Sequence, residues 1–168
     1  MSKSEPSSFR YAKDFPVGAV CVDFQDPESG LRGLVVRGPF SFCAYVGAPE
    51  NHALYALEEL EFRCHFGITF RGHGEAAGPL PEGWYFFGWD YAHFSDQLSA
   101  PELFQLDEHS EEAKLLKDFF ERLPFSGKPR KAWTVEEVTE DVLDALVELK
   151  KALQESAQYA QAVRATAR

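Results

Sequence analysis

The sequence predicts an α+β fold in which an antiparallel sheet from the N-terminal two-thirds packs against two C-terminal helices. Three observations carry that prediction. Hydrophobic residues alternate with period two in several stretches before residue 105, they recur at steps of three and four after it, and the strands precede the helices instead of alternating with them. At 168 residues the chain has the size of one domain, enough to bury well over half of the surface its unfolded form exposes.

The first ten residues, MSKSEPSSFR, read as a solvated, flexible tail. VGAVCVDF (17–24) alternates apolar with small or polar residues, DPESG (26–30) punctuates, and LRGLVVRG (31–38) and FSFCAYVG (40–47) resume β character, a meander broken at Gly38-Pro39. GAPENHALY (47–55) is a loop with room for one helical turn. LEFRCHFGITFRG (60–72) alternates again, setting Phe62, Cys64, Phe66, Ile68 and Phe70 on one face of a strand and Arg63, His65, Gly67, Thr69 and Arg71 on the other. That parity groups His65 with Thr69. HGEAAGPLPEG (73–83) is a loop, and WYFFGWDY (84–91), dense in β-forming aromatic residues, is expected to pair with the preceding strand, completing a β-rich region over 17–96.

The helical region spans 109–165. HSEEAKLLKDFFERL (109–123) places Ala113, Leu116, Phe120 and Leu123 on one stripe and stops before Pro124. After a turn-rich connector, Thr134 and Glu137 form a T-x-x-E capping box. Val135, Val138, Val142, Leu146, Leu149 and Leu153 then define a second amphipathic helix whose Ala-rich tail frays.

Charge and cysteine usage narrow the functional classes. A formal net charge of −10 opposes a phosphate backbone, so direct nucleic-acid binding is not expected. Cys21, Cys43 and Cys64 are odd in number and widely spaced, which fits neither a disulfide framework nor a Cys-rich zinc site and suits a reducing cytoplasm. The sequence has no basic-then-apolar leader and no apolar run near the roughly 20 residues of a membrane span, so no membrane association is expected. GxGxxG and GxxxxGK[ST] are absent, and no recognised motif requires a cofactor.

The chemistry-bearing residues gather after the aromatic strand. Asp90, His93 and Asp96, spaced D-x-x-H-x-x-D, offer two hard oxygen ligands and an imidazole, and with His65 from the neighbouring strand they form a candidate divalent-metal or acid–base cluster. An extended chain separates positions three apart by roughly 10 Å, so convergence requires a tight turn after Asp90. The same residues equally suit turn and cap roles. Arg71 and Arg63 share the His65 parity and carry planar forks for a carboxylate or phosphate, while Tyr45, Trp84, Trp89 and Tyr91 line a pocket or fill the core. His73, between glycines, is a loop-tip residue.

YVGAPENHALY (45–55), HFGITF (65–70) and FGWDYAHFSD (87–96) resemble three motifs of an uncharacterised family of small proteins encoded by bacteriophages and prophages, YVGxPxxHxLY, HGGxTY and FGFDxAHxxD. The likeness covers roughly residues 40–100. It implies weight at Tyr45, Gly47, Pro49, His52 and Tyr55, at His65, Gly67 and Thr69, and at Gly88, Asp90, His93 and Asp96, and it adds His52 to the candidates. The chain departs from the pattern at Phe66, where the motif has Gly, and at Trp89, where it has Phe. The resemblance implies a phage context, hence the cytoplasm of a bacterial cell, and no particular reaction.

Three functions follow as expectations. The first is a binding module in which Tyr45, His52, His65, Thr69, Arg71, Trp89, Asp90 and His93 capture a small polar or nucleotide-like ligand, sequestering a host-defence signal. The second is an acidic inhibitor of a host protein, and the third a hydrolase using His65, Asp90, His93 and Asp96 with a divalent cation. The sequence ranks binding first and enzyme last, and it leaves a homo-oligomer open.

Overall fold

A computed structural model describes residues 8–93, 95–98 and 130–166, together with 111, 114, 115, 118 and 122. Five strands form one antiparallel sheet: β1 (Val20–Gln25), β2 (Arg32–Arg37), β3 (Phe42–Pro49), β4 (Phe70–His73) and β5 (Trp84–Asp90), in the order β1-β2-β3-β5-β4. The expected meander is present, and β5 inserts between β3 and β4. One long helix, α1 (Val135–Thr166), packs on the sheet. The fold is therefore α+β, with one described helix on the sheet where two were expected. Most of 109–123 lies outside the described residues; Glu111, Lys114, Leu115, Asp118 and Arg122 within it are helical.

Alternation explains which side chains make the core. Phe42, Ala44, Val46 and Ala48 of β3 and Tyr85, Phe87 and Trp89 of β5 point to the helix side, where they join Val138, Val142, Ala145, Leu146 and Leu149 of α1 in one cluster. Those helical residues recur at steps of three and four, so a single stripe is buried. The helix sits close because β2 carries glycine beneath it: a Cβ on Gly33 would lie 2.8 Å from Val142 Cγ1 and 2.4 Å from the Phe24 ring. At its N-terminus the predicted capping box forms, with Glu137 N–H donating to Thr134 Oγ1 at 3.2 Å and Thr134 N–H to Glu137 Oε1 at 3.1 Å. The helix persists through Thr166, so the Ala-rich tail expected to fray is helical.

On the opposite face β3 and β5 are joined by two reciprocal aromatic–glycine pairs. Tyr45 stands opposite Gly88, and Gly47 opposite Phe86. A Cβ at Gly88 would fall 2.5 Å from the Tyr45 ring, and one at Gly47 2.5 Å from the Phe86 ring. Each ring lies across the bare backbone of the facing glycine, which binds the two central strands flat against one another. These contacts give a physical reason for glycine in YVG and FG.

Two segments differ from expectation. The stretch 60–72 enters the sheet only from Phe70; before that it turns, with Gly67 N–H donating to Cys64 O at 3.1 Å. Alternation alone reads as strand, but consecutive positive φ at Phe66 (57°) and Gly67 (85°) breaks the pleat, so the face assignment of His65 with Thr69 does not hold. Arg10, expected in the flexible tail, is anchored: its O accepts the Val135 N–H at 2.7 Å, and Tyr11 bridges to Thr134, so residues 10 and 11 close over the helix start.

Two measurements check this packing. Gly88→Ala drives a methyl into the Tyr45 ring and is expected to lower stability by about 1–3 kcal/mol in urea unfolding with an unchanged slope. The Lys131 hydrogen bond is the first cause holding the Glu137 carboxyl below its ordinary value, so its stabilisation is present above the unfolded pKa and lost as pH falls through the lower folded one. Glu137→Gln is therefore expected to melt below wild type at pH 7, with the gap closing below about pH 4.

Candidate metal centre

The end of β5 leads directly into the site. Tyr91 N–H donates to Phe42 O at 3.2 Å, which keeps the chain on the sheet, and Asp96 N–H then closes a turn onto His93 O at 2.9 Å. This is the tight turn that the D-x-x-H-x-x-D spacing requires. Asp96 is also bridged to Lys131, with Lys131 N–H donating to Ser95 O at 2.9 Å and Gln97 N–H to Lys131 O at 2.8 Å. The segment before α1 is thereby laid beside the loop, bringing Trp133 in.

Asp96 is the hub. Its side chain is 1% exposed, and its two oxygens accept from three directions. Oδ1 accepts Trp133 Nε1–H at 2.8 Å and His65 Nε2–H at 3.0 Å; Oδ2 accepts His65 Nε2–H at 2.8 Å and the His93 backbone N–H at 3.0 Å. An ionised carboxylate has no proton to give, so the His65 tautomer carries its proton on Nε2. Burial pushes the Asp96 carboxyl up, yet the bonds from His65, His93 and Trp133 outweigh it and hold the group below the usual carboxylate range.

Both imidazoles are fixed by aromatic packing. His65 stacks on the Tyr91 ring at 4.7 Å with an interplanar angle of 9°, and meets Trp133 edge-on at 5.0 Å. Tyr91 is itself anchored, donating its hydroxyl to Asp141 Oδ2 at 2.6 Å and accepting Trp89 Nε1–H at 3.1 Å. Burial and then the Asp141 contact drive that phenol far above its ordinary pKa. His93 lies flat against Phe66 at 4.2 Å, and its Nδ1 stands 3.4 Å from Asp96 Oδ2 and 3.8 Å from Asp90 Oδ1. Nδ1 is buried and makes no hydrogen bond; its approach to Asp96 is within ion-pair range but poorly aligned.

His65, His93 and Asp96 each direct one ligand atom into a group within 4.8 Å. A tetrahedral zinc-class ion with bonds of about 2.0–2.2 Å spaces its ligands roughly 3.4 Å apart, a separation of the same order as that among these three. Trp133 and the His93 N–H would orient the carboxylate from behind. An open cleft of about 490 Å³ borders His65 and Trp133, with Asp141, Asp144 and Glu148 of α1 and Arg63 and Cys64 completing its walls. Burial raises the Cys64 thiol to about 11, so it is protonated near neutrality.

The other candidates stand apart. Asp90 borders the group but accepts Ala92 N–H at 3.0 Å and Thr69 Oγ1–H at 3.4 Å, and so shapes the turn. His52 accepts Leu54 N–H on Nδ1 at 3.1 Å and donates Nε2–H to Ser29 O at 2.8 Å, a structural clasp between two loops. Arg71 donates its fork to Leu60 O and Glu61 Oε1, both at 2.6 Å, leaving it committed to protein. Tyr45 covers Gly88, and Trp89, expected as a pocket aromatic, is 1% exposed within the core. Trp133 is the site residue that spacing did not suggest; its place immediately before the capping box, where a residue often packs back on the helix entry, is the signal that marks it.

No match emerges from comparison with protein-family models, curated proteins or solved structures.

Asp96→Asn swaps one acceptor oxygen for a donor facing donors. The expected loss is on the order of 3 kcal/mol at pH 7 in urea unfolding. A change under 0.5 kcal/mol, a level typical of surface substitutions, would show that Asp96 does not organise the loop.

Proposed function

We propose that the protein binds a divalent transition-metal ion through His65, His93 and Asp96 and uses it to activate water for hydrolysis. The carrying observation is the convergence of two imidazoles and one carboxylate within 4.8 Å, beside a cleft. Two nitrogen donors and one oxygen donor suit zinc-class ions, and three protein ligands leave a fourth position for water. The cleft beside His65 has room for that water and for a substrate. Binding through Nε2 would require the neutral His65 imidazole to carry its proton on Nδ1 instead.

The cleft also speaks to substrate. Asp141, Asp144 and Glu148 face one arginine, Arg63, whose backbone N–H donates to Glu148 Oε2 at 3.1 Å. Three carboxylates repel a phosphoester and favour a substrate that is neutral or positively charged near the scissile bond, so an amide or ester is the class we assign. With the Arg71 fork occupied, capture of a nucleotide-like signal has less support than hydrolysis. The acidic-inhibitor reading rests on net charge alone.

Metal analysis of protein dialysed against zinc or cobalt is expected to give one equivalent per chain. His65→Ala, His93→Ala and Asp96→Ala should each abolish tight binding, and Trp133→Phe should weaken it about 10–100-fold while keeping the stoichiometry. Hydrolysis of a cationic amide or ester panel should vanish with chelator and return with metal. Sub-stoichiometric metal that is indifferent to all three alanine variants would refute the reading.

A further inference from the structure

Phe66 is out of place by every rule that governs its neighbours. Its φ of 57° is a left-handed conformation, and it is followed by Gly67 at 85° in a turn closed by the Gly67 N–H to Cys64 O bond. The third position of such a turn favours glycine because a Cβ is crowded there. Its ring is 52% exposed although it is one of the largest apolar side chains, and it belongs to no part of the core cluster. What the ring does is cover histidine: it lies parallel to His93 at 4.2 Å and 9°, and edge-on to His65 at 4.8 Å and 79°.

We propose that Phe66 is an aromatic shutter over the His93 side of the site, controlling how fast ions and small ligands reach that imidazole. This deepens the metal reading and rests on it for the ion-exchange consequence. His93 Nδ1 is buried and makes no hydrogen bond, with the Asp96 and Asp90 carboxylates near it at 3.4 and 3.8 Å. A ring nitrogen that is kept from water and makes no hydrogen bond binds a cation with little competition, and the half-exposed Phe66 ring stacked on that imidazole supplies the exclusion. The cleft is lined by His65 and not by His93, whose ring is covered by Phe66. A Cβ at Gly67 would meet nothing within 4 Å, so open space borders the turn that carries Phe66.

The test pairs Phe66→Gly, which removes both ring and crowding, with Phe66→Ala, which removes the ring and keeps the Cβ, and Phe66→Leu, which keeps apolar bulk. Two readouts are taken on the full chain. In metal-free protein, modification of each histidine by diethyl pyrocarbonate is followed by mass spectrometry. In cobalt-loaded protein, release to excess chelator is followed by visible absorption.

Both the Gly and Ala variants are expected to label His93 on the order of tenfold faster than wild type, with His52 and His73 unchanged and Leu intermediate, as for removal of a gate. Cobalt should exchange faster in both directions by a similar factor, with its dissociation constant changing less than either rate. Wild-type labelling rates at His93 in folded Ala and Gly variants would overturn the proposal. Accelerated labelling in a protein that binds no cobalt would leave the shutter standing and remove the metal reading instead.

Discussion

The buried carboxylate of Asp96 is the point on which the functional end of this molecule depends. It draws together the 64–67 turn through His65, its own loop through His93 and the entrance of α1 through Trp133. Removing a charge of this kind from water is costly unless its lone pairs find donors, and here two of the donors, His65 and Trp133, lie 31 and 37 residues away in sequence. The requirement to satisfy one buried anion therefore specifies how three loops meet.

A rigid platform makes that arrangement repeatable. The Tyr45–Gly88 and Phe86–Gly47 contacts hold β3 to β5, so the chain leaves β5 in a defined direction at Asp90. Trp89, Tyr91 and Asp141 then link sheet to helix by hydrogen bonds beneath His65, whose ring rests on Tyr91. The helix brings Asp141, Asp144 and Glu148 to the cleft because they lie off the stripe formed by Val138, Val142, Ala145, Leu146 and Leu149. One amphipathic pattern thus serves packing and cleft chemistry together.

Much of this was legible in the residues. Period-two alternation located the meander and β5, the T-x-x-E box located the start of α1, and the D-x-x-H-x-x-D spacing with His65 pointed to three residues that do converge, while Asp90 stands at the border. Alternation misled at 60–69, where a left-handed Phe66 turns the chain; only the flanking Gly67 hinted at it. That error mattered, since a strand would have separated Cys64 from His65, whereas both border the cleft. The contact of Trp133 with Asp96 and the clasp made by His52 left no periodicity to read, because these hydrogen bonds span 37 and 23 residues, and only the place of Trp133 before the capping box marked it. The commitment of Arg71 to Leu60 and Glu61 was equally invisible, since a fork reads the same whether it meets ligand or protein.

The most direct measurement is X-ray absorption at the zinc edge of protein loaded with one equivalent of zinc. Two imidazole nitrogens and light oxygen donors at about 2.0–2.2 Å, with this signature absent from His65→Ala and His93→Ala, which no longer hold the ion tightly, are the expected result. A first shell of oxygen alone, or one containing sulfur from a cysteine, would contradict the assignment of His65, His93 and Asp96.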